Sequence, residues 1–297
     1  MLDYLGYLFY RLGETIAVRT SMVWAYRLAE VIAWLYWHFH RRSRATLLAN
    51  LRQVLGPQAN GATVRRTARM GFRHFAYGVV DFFRLPRLLD EGLDQLIRSV
   101  NGLEHLHEVM AGGKGGILMT AHIGPWEVGG AWIASQGVPL TGVALSHASP
   151  QVEKFFLSRR EHSGYRTVPL GSAARELLRT LKRGEMIVLA ADRNFTEFGT
   201  WMEFFGRPAL MPDGHVRIAL RTGAPILPAF MIRTEDKRVQ VMIEQPITLL
   251  KGRDNVTSGM QRCLRILERY IGRWPEQWMA FNPIWPPSAQ VSGCGDV

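Results

Sequence analysis

The sequence predicts an α/β fold in which a mixed sheet is covered by helices, preceded by an N-terminal helical membrane anchor. Short apolar runs bounded by glycine or proline alternate with helical patterns after Gly102, which is typical of a sheet with covering helices. The stretch before residue 57 is helical in pattern and rich in aromatic side chains. We therefore expect membrane-associating helices over 1–56, an α/β domain over 57–287, and a small, polar, disordered tail over 288–297.

The individual elements follow from hydrophobic periodicity and from the glycines and prolines that interrupt it. A long helix is expected from residue 62 to just before Pro86, with a shorter helix after it, because the residue before a proline disfavours helical geometry. Strands are predicted over 116–121, 139–145, 166–169, 186–191, 226–232 and 239–244. Helices are predicted over 125–136, 150–162, 172–183, 214–222 and 255–272.

The N-terminal segment "SMVWAYRLAEVIAWLYWHFH", residues 21–40, has about the length of a membrane span. Arg27 and Glu30 inside it would both be costly at the centre of a bilayer. Its tryptophans and tyrosines suit a membrane interface, and the following "HRRSR" can bind lipid phosphates. We expect helices that lie on or dip into the cytoplasmic face of the membrane; the alternative is an aromatic-rich helix buried in the core of the protein.

Composition limits the classes of function. The chain is 47% hydrophobic and carries a formal net charge of +11, which calls for an anionic partner: nucleic acid, a membrane surface or a phosphorylated substrate. No recognisable nucleic-acid motif is present. Cys263 and Cys294 provide neither a disulfide framework nor a zinc set, and we expect no metal site. The serine-hydrolase elbow, the P-loop and the H-E-x-x-H motif are also missing from the sequence.

The stretch "GGILMTAHIGPWEVGG" carries the first candidate site. The apolar run predicts a buried strand, and Pro125 suits the first turn of the next helix, so His122 lies in the turn between them. Glu127 at the start of that helix can reach back toward the imidazole, which predicts a general base beside an oxyanion or phosphate site. The alternative is a helix-start charge and an ordinary hydrogen-bonded histidine. Gly129 and Gly130 indicate that another element packs closely here.

A second group of candidates follows the strand in "EMIVLAADRNF". Asp192, Arg193 and Asn194 come directly after this strand, and ligands of α/β folds bind beyond the carboxyl ends of strands. We assign them to the same sheet edge as His122. For Asp192, an ordinary role in a turn or cap is equally compatible with the sequence.

Two further candidates rest on weaker signals. Arg159 and Arg160 end a predicted helix, where they would bind a phosphate or only be solvated cations at a helix end. Glu203 lies in a long connection rich in aromatic residues and glycine. Long ordered loops are often functional, so this one could line a groove for an acyl chain; the alternative is a surface hairpin.

Taken in order, these stretches resemble a known family. "HIGPWE" resembles the H-x4-D/E motif of glycerolipid acyltransferases. "ADRNF", "MEFFGRPALMPDGHVRIALRTGAPILPAF" and "PEQW" resemble its branch of bacterial lipid A late acyltransferases and phosphatidylinositol mannoside acyltransferases. The resemblance runs to about Trp285. It implies a monotopic inner-membrane enzyme that moves a fatty acyl chain from acyl-CoA or acyl-carrier protein to a lipid hydroxyl without a cofactor.

The resemblance also implies roles for single residues. His122 matches the general base of the motif and Glu127 its orienting partner. Substrate-binding roles fall on Arg159, Asp192, Arg193, Asn194 and Glu203. The ending "PEQWMAFNPIW" lacks the basic pair common in lipid A enzymes and favours glycolipid-acylating relatives. Two other classes remain open: a non-catalytic, lipid-binding peripheral membrane protein, and a basic nucleic-acid-binding protein.

Overall fold

A computed structural model of the protein describes residues 2–145 and 149–285, with side chains described from Tyr7 onward. The tail expected over 288–297 lies outside these residues. Four helices come first: α1 Leu2–Arg19, α2 Met22–Phe39, α3 Arg41–Leu55 and α4 Gly61–Glu91. Polar side chains begin two of them, since Ser21 accepts the backbone N–H of Trp24 and Asn60 accepts that of Thr63.

The predicted break before Pro86 is wrong, because α4 continues through this residue to its end. A proline inside a helix costs about 3 kcal/mol. Leu85 and Leu88 on either side of it are 0% and 8% exposed, and each contributes about 1.5–3 kcal/mol through burial. Packing of the helix on the core therefore outweighs the local cost of the proline.

The remaining chain alternates strands and helices. Its strands are β1 Ile97–Asn101, β2 Gly116–Thr120, β3 Leu140–Ala144, β4 Arg166–Pro169, β5 Met186–Ala190, β6 Thr200–Phe204, β7 Arg207–Met211, β8 Ile226–Arg233 and β9 Val239–Ile243. Its helices are α5 Leu103–Ala111, α6 Trp126–Ser135, α7 Pro150–His162, α8 Ala173–Lys182, α9 Gly214–Thr222 and α10 Val256–Arg273.

Seven strands form one sheet in the order β1-β9-β8-β2-β5-β3-β4. All neighbouring strands are parallel except β8 and β9, so the predicted mixed sheet is confirmed. Strand β1 was not predicted. Within the described residues, strands β6 and β7 pair with each other alone, as an antiparallel hairpin, which was the alternative left open for this connection.

Helices cover both faces of the sheet, as the fold class requires. The central strand β2 shows this through the alternation of its side chains. Ile117 and Met119 pack into one hydrophobic cluster, together with residues of α3, α8, α9 and α10. Leu118 faces the opposite way and packs into a second cluster, together with residues of α1, α2, α5 and α6.

The N-terminal helices have one face in the core and one in solvent. In α2 the side chains of Tyr26, Ala29 and Trp37 are buried, whereas those of Trp34 and Phe39 are 59% and 79% exposed. Over the described part of the chain, no helix combines the length and the apolar character needed to cross a bilayer.

Candidate active site

His122 lies in a tightly packed turn between β2 and α6. Gly124 in this turn has a φ of 57°, and a Cβ there would lie 1.9 Å from the carbonyl oxygen of Met231. Both the conformation and the space therefore require glycine. In α6, a Cβ on Gly129 would fall 2.2 Å from the Cγ of Met231. The close packing that the glycines indicated is the packing of this turn on β8.

The C-terminal segment fixes the turn by backbone hydrogen bonds. The backbone N–H of Gly124 donates to the carbonyl of Gln277 at 3.0 Å, and the N–H of Met279 donates to the carbonyl of His122 at 2.8 Å. The Gln277 side chain is itself bound to β8, because it accepts from the backbone N–H of Arg233 and donates to its carbonyl, both at 2.8 Å. The "PEQW" segment thus joins the turn to the sheet.

Sheet register brings His122 and Asp192 together. Strands β2 and β5 are parallel neighbours with Thr120 opposite Ala190, so each candidate follows its strand by two residues at the same edge. The Nδ1 of His122 lies 2.8 Å from Oδ1 of Asp192, which also accepts the backbone N–H of His122 at 3.1 Å. The shared sheet edge expected for the two residues is confirmed.

The hydrogen bonds around Asp192 define the tautomer of His122. The carboxylate of Asp192 is wholly buried, and its Oδ2 accepts the indole N–H of Trp278 at 2.8 Å. An ionised carboxylate can only accept, so we assign the proton of the neutral imidazole to Nδ1. This leaves Nε2 of His122 as the basic nitrogen. Burial alone raises the pKa of Asp192, but His122, Arg193 and Trp278 outweigh it and hold that pKa well below its ordinary value.

Arg193 lies beside the same imidazole. Its guanidinium donates to the carbonyl of Met279 at 3.0 Å, stacks over the ring of Phe195 at 5.2 Å, and places Nε 3.1 Å from Nδ1 of His122. The Nε–H of Arg193 points at Nδ1, so Arg193 and Asp192 compete for this nitrogen; because the ionised carboxylate of Asp192 can only accept, we keep the proton on Nδ1. Burial lowers the pKa of Arg193, while the charge of Asp192 opposes that shift. Arg193 is thus a positive group held against His122.

Glu127 has other partners, which corrects its expected contact with His122. Its carboxylate accepts from the guanidinium of Arg160 at 2.6 and 3.3 Å and from the hydroxyl of Tyr165. Burial raises the pKa of Glu127, but Arg160, Tyr165 and the nearby His122 outweigh it and lower the pKa overall. Asp192, to which the resemblance gave a substrate-binding role, is the carboxylate bonded to His122. The five-residue spacing could not reveal these partners, which come from α7 and from the residue before β4.

Three other predicted site residues lie apart from this pair. The amide of Asn194 closes its own loop by donating to the carbonyl of Phe198 at 2.6 Å. Glu203 is exposed on the β6–β7 hairpin. Arg159 forms an ion pair with Glu14 of α1. None of the three has a hydrogen bond to His122 or Asp192 among the described residues.

Aromatic side chains surround the imidazole. The rings of Trp126 and Phe195 meet that of His122 edge to face, with centroids 5.5 and 6.1 Å away. The His122 side chain remains 20% exposed, and Phe198, further along the same loop, is 84% exposed. The exposed part of the imidazole is therefore bordered by apolar surface. No cluster of three or more metal-ligating side chains occurs within 2–145 and 149–285.

Sequence reasoning missed two residues that hold the site. Trp278 and Gln277 belong to "PEQW", which was noted only as part of the resemblance. A buried indole N–H needs an acceptor, and a buried amide needs both donors and acceptors. The polar groups of this short segment were the available signal, but the sequence did not show which partners they would reach.

An imidazole held by a buried carboxylate at the end of a central strand is typical of enzymes that take a proton from a hydroxyl or a water molecule. Similarity to known protein families narrows this broad class of enzymes. A profile of the bacterial lipid A biosynthesis acyltransferase family matches residues 1–286, and the chain belongs to this family.

Named relatives agree with the family. A phosphatidylinositol mannoside acyltransferase of Mycobacterium tuberculosis is 33% identical over 210 residues, which cover 69% of this chain and 66% of that protein. Its counterpart in Mycolicibacterium smegmatis is 28% identical over 68% of this chain and 67% of its own length. A lipid A biosynthesis acyltransferase of Haemophilus influenzae is 24% identical, over 60% of this chain and 56% of its own. The chain thus aligns with just under two thirds of the M. tuberculosis protein.

Proposed function

We propose that this protein transfers a fatty acyl group from a thioester to a hydroxyl of a glycolipid or phospholipid, with His122 as the general base. The observation that carries the proposal is the hydrogen bond between Nδ1 of His122 and Asp192, which leaves Nε2 basic in a partly exposed turn. Family membership supports acyl transfer as the reaction. The names of the mycobacterial relatives support a mannosylated phosphatidylinositol as the acceptor.

The proton moves twice in this mechanism. Nε2 of His122 takes the proton of the acceptor hydroxyl as its oxygen attacks the thioester carbonyl carbon and forms a tetrahedral intermediate. The C–S bond then breaks, the new ester carbonyl forms, and the sulfur leaves as a thiol with the proton from His122. Asp192 stabilises the imidazolium between these steps. Positioned proton transfer of this kind supplies about 10²–10⁴-fold in rate.

The negative oxygen of the intermediate needs positive groups nearby. Arg193 supplies a guanidinium fixed against His122 by Met279. The first backbone N–H groups of α6 follow the same turn, and the start of a helix leaves such donors without partners inside the helix. We assign oxyanion stabilisation to these two elements.

Glu127 has a positioning role in this proposal. Its ion pair with Arg160 and its hydrogen bond from Tyr165 tie the start of α6 to α7 and to the residue before β4. The first turn of α6, which holds the oxyanion donors, is thereby fixed.

The donor we propose is acyl-CoA or acyl-carrier protein, and the location is the cytoplasmic face of the membrane. The apolar border formed by Trp126 and Phe195 beside His122 suits an acyl chain. The exposed side chains of α2, among them Trp34 and Phe39, suit the interfacial region of a bilayer. The alternative is a lipid-binding protein without catalysis, which those same exposed side chains favour.

Transfer can be measured directly with purified protein, acyl-CoA and a mannosylated phosphatidylinositol acceptor, using mass spectrometry of the lipid product. We expect one added acyl chain with the wild type, and a rate lower by about 10²–10⁴-fold for His122→Ala. Circular dichroism should show that the variant is folded. A folded His122→Ala variant with near wild-type rate would refute the mechanism. Vesicle binding without transfer from either type of donor would favour the non-catalytic alternative.

A further inference from the structure

The positive charge of the protein is concentrated in a stretch of chain that the proposed chemistry does not use. Residues 31–80 contain eight arginines and no lysine, aspartate or glutamate, so they carry a formal charge of +8 out of +11 for the whole chain. Four of these arginines lie in α3 and four in the first half of α4. A concentration of one sign of charge on this scale favours an anionic partner.

The four arginines of α4 face solvent on one side of the helix. They follow the three- to four-residue spacing of a single helical face and are all exposed: Arg65, Arg66, Arg69 and Arg73. Together with Ala62 and Met70 they line a groove of about 590 Å³, a volume within the range of small-ligand sites. Among the residues that the structure describes, no acidic side chain lines this groove.

The charged groove adjoins α2 at Trp37, whose side chain is 6% exposed. The guanidinium carbons of Arg69 in α4 and Arg44 in α3 lie 5.5 and 5.7 Å from the ring centre of Trp37. On the same helix, Trp34 and Phe39 are 59% and 79% exposed. Basic and apolar side chains on neighbouring surfaces are the combination that binds at the headgroup boundary of a membrane.

We propose that the α4 groove binds the phosphate groups of anionic phospholipids while the exposed side chains of α2 enter the acyl boundary of the same bilayer. The inference rests on the proposed membrane association and names the chemistry of its contact. Guanidinium groups bind phosphate through two parallel hydrogen bonds. An acidic protein or a nucleic acid would satisfy the arginines but would leave the exposed aromatic side chains of α2 in water, so the observations favour lipid.

The test is flotation with phosphatidylcholine vesicles, with and without phosphatidylglycerol, across a salt series. One variant changes Arg65, Arg66, Arg69 and Arg73 to Gln, and a second changes the same four to Lys. The matched control removes the same charge from exposed positions elsewhere: Arg221, Lys251, Arg253 and Arg265 to Gln. Because Arg69 contacts Trp37, thermal unfolding of each variant checks the fold.

We expect the wild type to bind the anionic vesicles more tightly than the neutral ones. This preference should disappear at high salt, because salt screens the attraction between arginine and phosphate. The Gln variant should bind anionic vesicles about a hundredfold more weakly, since each basic residue at such a surface contributes several-fold. It should still bind neutral vesicles and should keep its transfer rate with detergent-solubilised substrates. The Lys variant should retain most of the preference, because the charge remains, and the control should bind like the wild type.

Two results would overturn the proposal. One is equal loss of anionic binding in the Gln variant and in the charge-matched control, which would indicate overall charge rather than this groove. The other is a Gln variant that binds vesicles like the wild type but no longer transfers acyl groups from acyl-carrier protein. That result would assign the groove to an acidic protein. Failure of acyl transfer itself would be seen separately, because His122→Ala should bind both kinds of vesicle like the wild type.

Discussion

Two carboxylates near His122 are held in different ways. Asp192 is wholly buried and accepts from the imidazole, from a backbone N–H and from the indole of Trp278. Glu127 keeps 16% of its side chain exposed and accepts from Arg160 and Tyr165. The imidazole must gain and lose a proton during the proposed reaction. The partners of Glu127 keep their protons, since arginine stays charged and burial raises the pKa of Tyr165 well above its ordinary value.

The difference separates two tasks that one acidic residue is often expected to perform. A carboxylate bonded to the base changes how readily that base becomes positive. A carboxylate bonded to an arginine and a tyrosine fixes the position of the helices that carry them. We therefore expect substitution of Asp192 to act mainly on the rate of transfer, and substitution of Glu127 to act mainly on the stability of the fold.

The largest effect in this comparison is expected for Asp192→Asn. The amide can donate to Nδ1 of His122, which would place the imidazole proton on Nε2 and remove the base. We expect the transfer rate to fall about 10²–10⁴-fold at pH 7, the range of positioned proton transfer. The control is Asp213→Asn, which changes another buried carboxylate, bonded to Thr200 and Arg217. A folded Asp192→Asn variant as fast as this control would remove Asp192 from the mechanism.

Glu127→Gln should lower the stability of the fold more than it lowers the transfer rate. The substitution leaves the guanidinium of Arg160 without its carboxylate in a mostly buried position. We expect unfolding free energy to fall by roughly 2–4 kcal/mol, somewhat less than for a fully buried pair because both side chains keep some exposure. Denaturant titration measures this loss. The transfer rate of the folded variant should fall less than that of Asp192→Asn, and the opposite order of rates would contradict the division of tasks.

Acid should reduce the stability difference between the wild type and Glu127→Gln. Arg160 and Tyr165 lower the pKa of Glu127 against the effect of burial, so the ionised carboxyl stabilises the fold above its unfolded pKa. This contribution is lost as pH falls through the folded pKa. Unfolding free energies of the two proteins should thus converge below about pH 4, the ordinary glutamate range. A difference that stays constant from neutral pH through this range would mean that the charge of Glu127 is not what stabilises the fold.

Much of the fold could be predicted from the sequence because burial leaves a local pattern. β2, β5 and β8 are apolar runs, and each was found. β1 was missed because its sequence, "IRSVN", shows no apolar run and most of its side chains are only half-buried or exposed. The continuation of α4 through Pro86 depends on tertiary packing of Leu85 and Leu88, which the local rule for proline does not include.

The site could be predicted as a set of residues but not as a set of contacts. His122 and Asp192 were both placed at one sheet edge, since each follows a buried strand. Their pairing depends on β2 and β5 being direct neighbours, which is a property of strand order and not of spacing along the chain. The spacing between His122 and Glu127 favoured a contact between these two residues. In the structure, Glu127 instead accepts hydrogen bonds from Arg160 and Tyr165.

A pair of double-mutant cycles on the transfer rate tests the central claim, that Asp192 and not Glu127 forms the catalytic unit with His122. The cycles combine His122→Ala with Asp192→Asn and, separately, with Glu127→Gln. Groups that act as a unit give strongly non-additive losses. We predict that His122→Ala/Asp192→Asn is no slower than His122→Ala alone, and that Glu127→Gln adds its own smaller loss to that of His122→Ala. Additive losses for His122 and Asp192, together with full coupling of His122 to Glu127, would contradict the claim.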